Sequence, residues 1–356
     1  MSDKFLYLAL GDDTKKNKAP SLRMAAMKKG FRQLMHEENL IEINGTVSSR
    51  NKKIKDLIFN KKLENVTAAY IESSNVGMAF WDAVLIFYLK YKRVKMSVFI
   101  RDFYPLFING WKDTNWKGKI ANILWFINIF VYRLTVSISY FPSDSSKKLL
   151  NFRFKDILPP GLFLDIPDLP LKRNTVFYAG GLRKPYNLEP VLEAVDLLNK
   201  ELKVKFNVFC REDSLPFISK WLDKEWLVVE HKSLYDLDYK PHIAVISSDN
   251  SYQAIARSVK MLDYIKLGSP IIISDAYENS KFLNEHEIGL VAEPDNSDSF
   301  YNQLKKFFTD DELSTRLRDK VMDLQKSPEL NWSTRCEKVL EDLGKDFLIN
   351  RSDNII

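Results

Sequence analysis

Eight short apolar runs punctuate the chain, at residues 5–10, 67–71, 96–100, 135–139, 175–179, 204–210, 243–246 and 271–274. Most are rich in Val, Ile, Phe or Tyr, whose branched or ring-bearing side chains pack well on a pleated surface. Turn residues bound them, and helical spacing of apolar positions lies between several of them. That alternation predicts parallel sheets covered by helices, the α/β class. The first run is too short, and lacks the small-residue cleavage pattern, for a signal peptide, and reads as a first buried strand.

Between Ile157 and Arg173 stand four prolines, Pro159, Pro160, Pro167 and Pro170. Proline removes a backbone donor and fixes φ, so this stretch excludes a long helix or a central strand and reads as a linker. It divides the 356 residues into domains of 1–160 and 161–330, each long enough for its own core. Residues 120–141 are mostly apolar and approach the length of a membrane span, but Arg133 would sit near its middle at a cost of about 2.5–3.5 kcal/mol. A buried helix to about Arg133 followed by a strand at 135–139 removes that cost.

Charge changes the picture at the same boundary. Residues 1–160 hold 27 Lys/Arg against 14 Asp/Glu, and the remainder 26 against 33. A basic half is consistent with an anionic partner, for which an anionic membrane surface is one candidate, and equally with a solvated basic face. Lys15, Lys16, Lys18, Lys28, Lys29 and Arg32, with Lys52, Lys53, Lys55, Lys61 and Lys62, would supply a peripheral contact. No nucleic-acid-binding module accompanies the charge, so nucleic acid is not an expected partner. Cys210 and Cys336 form no metal-ligand spacing and no disulfide framework, which suits a reduced, cytoplasmic protein. The four histidines stand in no triad or metal constellation.

Two segments carry candidate chemistry. The strand at 175–179 runs into Gly180 and Gly181, then Arg183 and Lys184, then an amphipathic helix. Glycines let backbone N–H groups approach a phosphate, and the cations could neutralise one; a plain strand-to-helix turn with exposed cations reads equally well. The second segment, residues 257–270, reads Arg257-Ser-Val-Lys260-Met261-Leu262-Asp263-Tyr264-Ile-Lys-Leu-Gly268-Ser-Pro270. It predicts a helix that ends at Gly268, with Lys260 and Asp263 one turn apart on one side, and a buried strand after Pro270. A cation for phosphate and a carboxylate for ribose hydroxyls suit a sugar nucleotide, and a surface ion pair is the alternative.

The second segment resembles the donor-site signature of family 4 glycosyltransferases, Lys-x-x-Glu-Tyr-x-x-x-Gly-x-Pro followed by Ile or Val, with Asp263 in the Glu position. Ile288-Gly289-Leu-Val-Ala-Glu-Pro294 and Asn331-Trp332 continue the likeness in the family's order, and Leu158-Pro-Pro-Gly161 resembles its interdomain turn. Upstream, Val98-Phe-Ile-Arg101-Asp102 resembles its first-domain strand end. The resemblance implies the GT-B architecture, two Rossmann-like domains facing across a cleft, with residues 331–356 crossing back to the first. It implies a retaining, metal-independent transfer from a nucleotide sugar, a UDP-sugar by expectation, with no cofactor. The acceptor would be a glycan, lipid-linked or protein-linked molecule in bacterial surface polysaccharide or glycoconjugate synthesis, and the enzyme cytoplasmic or peripheral at the inner face of the plasma membrane.

The same resemblance implies a donor site of Gly180, Gly181, Arg183, Lys184, Arg257, Lys260, Met261, Leu262 and Asp263. Lys260 with Arg183 or Lys184 would clamp phosphate and Asp263 would bind ribose, while Asp102 and Arg101 take the catalytic positions, with Asp102 orienting the donor sugar or the acceptor hydroxyl; an ordinary turn carboxylate paired with Arg101 reads equally well. Three departures stand beside it. Ile255 occupies the place of the family's first acid, the phosphate loop reads Gly180-Gly181 where Gly-Arg is usual, and the N-terminal glycine-rich loop is replaced by residues 11–20. A non-catalytic GT-B partner subunit and a nucleotide-sugar epimerase are the alternative readings.

Overall fold

The computed structural model describes residues 3–11, 19–74, 77–107, 116–163, 168–183, 186–248, 253–255 and 257–344. Residues 12–18 of the replaced N-terminal loop, with Lys15, Lys16 and Lys18, therefore lie outside the described residues. The chain forms two compact units, Met1–Pro160 with the stretch from Trp332, and Gly161–Asn331.

The first unit is built on a six-stranded sheet of β1 (Lys4–Ala9), β2 (Leu40–Ile43), β3 (Val66–Glu72), β4 (Lys95–Phe99), β5 (Ile138–Phe141) and β6 (Lys155–Ile157). Its order is β2-β1-β3-β4-β5-β6 and every pair is parallel. A parallel sheet is covered on both faces, so its interior strands are buried almost throughout, as β1 and β3 are. The helices are α1 (Ala19–Leu34), α2 (Val47–Phe59), α3 (Phe80–Tyr91), α4 (Trp116–Thr135) and α5 (Asp144–Lys148). Local chemistry sets their starts: Thr46 accepts from Ser49 N–H before α2, and Ser143 and Ser146 form a reciprocal capping box on α5.

Two expectations for residues 120–141 are corrected here. The strand begins at Ile138, because α4 continues through Thr135, whose hydroxyl donates to the Val131 carbonyl one turn back. The helix is also not buried all round. Trp125, Asn128, Ile129 and Tyr132 face inward, while Ile123, Ile127 and Phe130 are exposed.

The second unit repeats the plan with β7 (Leu171–Ala179), β8 (Lys205–Phe209), β9 (Leu227–Glu230), β10 (Lys240–Ile246), β11 (Ile271–Ser274) and β12 (Gly289–Ala292), in the order β12-β11-β10-β7-β8-β9. All its pairs are parallel as well. Its helices are α6 (Glu189–Leu198), α7 (Val259–Lys266), α8 (Tyr277–Glu285), α9 (Ser297–Thr309) and α10 (Asp311–Gln325). Two apolar clusters flank the sheet, one joining α6 and α9 to it and the other joining α7 and α8. The last described helix, α11 (Trp332–Asp342), packs on α1 in the first unit, where Cys336 lies against Met27 and Arg335 donates to the Pro159 carbonyl. Both cysteines are buried free thiols.

Candidate functional site

In each unit the strand order reverses direction beside its first strand, between β1 and β3 and between β7 and β10. In the second unit the helices that follow β7 and β10 pack in different apolar clusters, on opposite faces of the sheet, and ligands of open parallel sheets bind outside the carboxyl ends of the strands at such points.

In the second unit Gly180 follows β7 at φ +141°, a backbone conformation that only glycine adopts without strain. A Cβ there would stand 2.5 Å from Lys260 Cε and 2.6 Å from its Nζ, so the missing side chain is the space the lysine occupies. Lys260 is the second residue of α7. Its ammonium donates to the Tyr178 hydroxyl at 2.8 Å, and that hydroxyl donates to the Gly181 carbonyl at 2.6 Å. The ammonium also lies 3.4 Å from the centre of the Tyr186 ring and 4.5 Å from that of Tyr178. Among the described residues no carboxylate reaches it within ion-pair distance, so the alternative reading of a surface ion pair between Lys260 and Asp263 does not hold. Burial pulls the Lys260 pKa down to about 7, opposed by the field of Asp263 one turn away. A half-buried ammonium held by neutral groups retains its capacity for an anion.

The rest of the segment divides between scaffold and site. Met261 and Leu262 are buried in the apolar cluster beneath the sheet, so only their backbone near the start of α7 is available for binding. Tyr264 is fully buried and its hydroxyl accepts from Ala179 N–H, which ties α7 to the end of β7. Ser258, the residue before α7, donates its N–H to Asn279 of α8 at 2.7 Å. Arg257 stacks over the Phe282 ring at 4.3 Å. Arg183 is exposed, 3.8 Å from Asp213 and over Phe217, and makes no contact with Lys260. Gly181 faces open space, and Lys184 lies outside the described residues.

Two residues that meet Lys260 were not singled out in the sequence. Tyr178 and Tyr186 enclose Lys260, and Ser247, just beyond β10, has a buried hydroxyl with no hydrogen-bond partner among the described residues. Tyr178 stands two positions before Gly180, a spacing that could have directed attention to it; Tyr186 carries no such signal.

In the first unit, Arg101 and Asp102 follow β4. Arg101 Nε donates to Asp102 Oδ2 at 3.2 Å, while Arg101 Nη1 is buried without a partner among the described residues. Burial raises the Asp102 carboxyl pKa, against the lowering effect of Arg101. Gly11, after β1, adjoins this pair: a Cβ there would lie 3.8 Å from Arg101 Nη2. Glu72 at the end of β3 is committed elsewhere, bound by Arg23 at 3.2 Å and Tyr70 at 2.6 Å. Among the described residues no group of three or more His, Cys, Asp or Glu could hold a metal ion, and no helix is long and apolar enough to cross a membrane.

Two Rossmann-like parallel sheets, each with candidate residues at the carboxyl ends of strands beside a switch point, define an α/β fold of GT-B type. Comparison with solved structures bears this out. Anabaena HepE, solved in complex with UDP and glucose, is 8% identical with a TM-score of 0.67 over 96% of this chain and 100% of that one. Sucrose-phosphate synthase from Thermosynechococcus elongatus is 11% identical with a TM-score of 0.62 over 95% and 98%. A glycosyltransferase from Rickettsia africae is 12% identical with a TM-score of 0.63 over 97% and 100%. No family model and no curated protein sequence matches the chain.

Proposed function

We propose that the chain is a nucleotide-sugar glycosyltransferase whose second unit holds a nucleoside diphosphate at Lys260. The observation that carries this reading is the lysine itself: its ammonium fills the space above Gly180, beside the start of α7, and has no carboxylate partner among the described residues. Aligned peptide dipoles make a helix start favourable for anions, and Lys260, with a pKa pulled down to about 7, adds a positive charge there in its ammonium form, the form a bound diphosphate favours. Charge that develops on the departing diphosphate would be stabilised by groups already in place. Asp263, on the same side of α7, is the proposed ribose acceptor.

Uridine is the proposed base, a reading supported by the UDP bound in the Anabaena structure of the same fold. In the proposed reaction the sugar's C1–O bond to the diphosphate breaks and an acceptor oxygen joins C1. The acceptor's proton passes to a phosphate oxygen of the leaving group, with retention of configuration and no resident cofactor. Arg101 and Asp102 are the groups of the first unit proposed to act in catalysis. A glycan, lipid-linked or protein-linked acceptor in surface polysaccharide synthesis remains the proposed context.

Calorimetric titration with UDP, UDP-glucose and GDP tests the reading. Binding that is lost in a folded Lys260→Gln variant supports it; no binding of any nucleotide at millimolar concentration overturns it. Ile255, in place of the family's first acid, keeps a second reading open, a non-catalytic subunit of the same fold. Nucleotide binding without release of UDP in the presence of acceptor would favour that one.

A further inference from the structure

The outward face of α4 is apolar along its whole length. Trp116, Ile123, Ile127, Phe130 and Leu134 recur at helical spacing and are each half or more exposed. The opposite face is fixed in the fold: Trp125, Ile129 and Tyr132 are buried, and Asn128 accepts from Met78 N–H. α3 packs beside α4 and extends the surface with Phe80 and Tyr91, both more than two thirds exposed. Contiguous apolar surface of this size on a folded protein marks an interaction site.

Charge identifies the occupant. α4 contains no Asp or Glu, and its exposed cations Lys117, Lys119 and Arg133 border the stripe. α3 contributes exposed Lys90 and a single carboxylate, Asp82, which is buried and bound at both oxygens by Arg50. The combined surface is therefore cationic and apolar with no exposed carboxylate on either helix. A second copy meeting this face about a two-fold axis would oppose the same cations to one another. A lipid surface with anionic headgroups offers phosphates to the cations and acyl chains to the apolar side chains.

We propose that α4, with the adjoining face of α3, docks the first unit onto an anionic bilayer. The helix lies in the plane of the interface, its stripe at the headgroup boundary and Lys117, Lys119 and Arg133 at the phosphates. It does not cross, because its inner face is part of the protein core. Leu124 closely approaches Gly77, just beyond β3, with Leu124 Cβ 2.8 Å from where a Gly77 Cβ would stand. α4 thus lies against the segment between β3 and α3, and Arg101 and Asp102 follow β4, the strand next to β3. The proposal is independent of the transferase reading.

Flotation of the full chain with phosphatidylcholine vesicles, with and without phosphatidylglycerol, tests it. The chain should float only with the anionic vesicles and detach as salt is raised. I127E/F130E and, separately, K117E/K119E should each weaken flotation by about tenfold or more, with thermal midpoints unchanged because all four side chains are exposed. Wild-type chain that stays in solution with anionic vesicles at low salt overturns the proposal. So does a wild-type dimer that I127E/F130E converts to monomer in light scattering while vesicle binding is unaltered, since the face would then serve a second copy.

Discussion

Gly180 and Lys260 occupy each other's space: a Cβ at residue 180 would stand 2.5 Å from Lys260 Cε and 2.6 Å from its Nζ. Two residues eighty positions apart are thereby coupled, one by what it lacks. Gly180→Ala must both strain a backbone at φ +141° and expel the lysine, so a stability loss of about 1–3 kcal/mol is expected, with UDP affinity reduced about tenfold or more. Gly181→Ala meets nothing within 4 Å and should leave both unchanged. Paired melting curves and calorimetric titrations check the contrast; equal effects of the two changes would refute the coupling.

The Lys260 ammonium should give nucleotide binding a characteristic pH dependence. Its folded pKa is about 7, against an ordinary 10.5. Between these values the unfolded chain holds a proton that the folded chain has released, so this group's contribution makes stability rise with pH through that window. Binding runs the other way. A diphosphate favours the ammonium, so binding takes up a proton above about pH 7 and weakens as pH rises further. Titrations of the wild-type chain in two buffers of different ionisation enthalpy measure that uptake, and binding with no net proton uptake between about pH 7 and 9 would refute it.

His242 is expected to contribute to acid unfolding. Its ring packs against Phe307 and Phe308, and Nδ1 accepts from Asn174 N–H at 3.3 Å, an acceptor role that protonation removes. Burial, with Arg318 and Arg173 nearby, lowers its pKa from 6.5 to about 4. The unfolded state therefore binds the extra proton between those values, and stability falls as pH drops through them, by about 3 kcal/mol at most. His242→Gln should show a smaller loss between neutral pH and pH about 4 in urea denaturation. An identical loss would assign acid sensitivity to other groups.

Gly30 sets the approach of α1 to α11. A Cβ there would lie 2.7 Å from Cys336 Sγ and 3.4 Å from the Trp332 carbonyl oxygen. Overpacking of about 1–3 kcal/mol opposes a gain of about 1 kcal/mol in helix propensity, so Gly30→Ala should be mildly destabilising. Removing the sulfur should relieve it: the alanine should cost less in a Cys336→Ala background, measured as a double-mutant cycle by thermal melting.

The eight apolar runs read from the sequence correspond to β1, β3, β4, β5, β7, β8, β10 and β11, the interior strands of the two sheets. The four that were not read, β2, β6, β9 and β12, are the four sheet edges. An interior strand of a parallel sheet is covered on both faces and both sides, which demands a continuous apolar run. An edge strand such as Lys155–Ile157 is half open to solvent, and its pairing partner lies far away in the sequence. The position of β5 slipped for a related reason: Thr135 has strand propensity, but its hydroxyl is satisfied within α4.

Sequence alone determined the two-sheet α/β architecture and the helix carrying Lys260 and Asp263, because burial periodicity and the glycine that ends that helix at φ +71° are local properties. What surrounds Lys260 was decided only by the tertiary structure. Tyr178 and Tyr186 belong to a different strand and loop, and their contact with the ammonium arises from the order in which β7 and β10 pair, a long-range choice. The same holds for α4. Its apolar residues were plain in the sequence, but packing one face against a fixed sheet determined which of them were left facing outward.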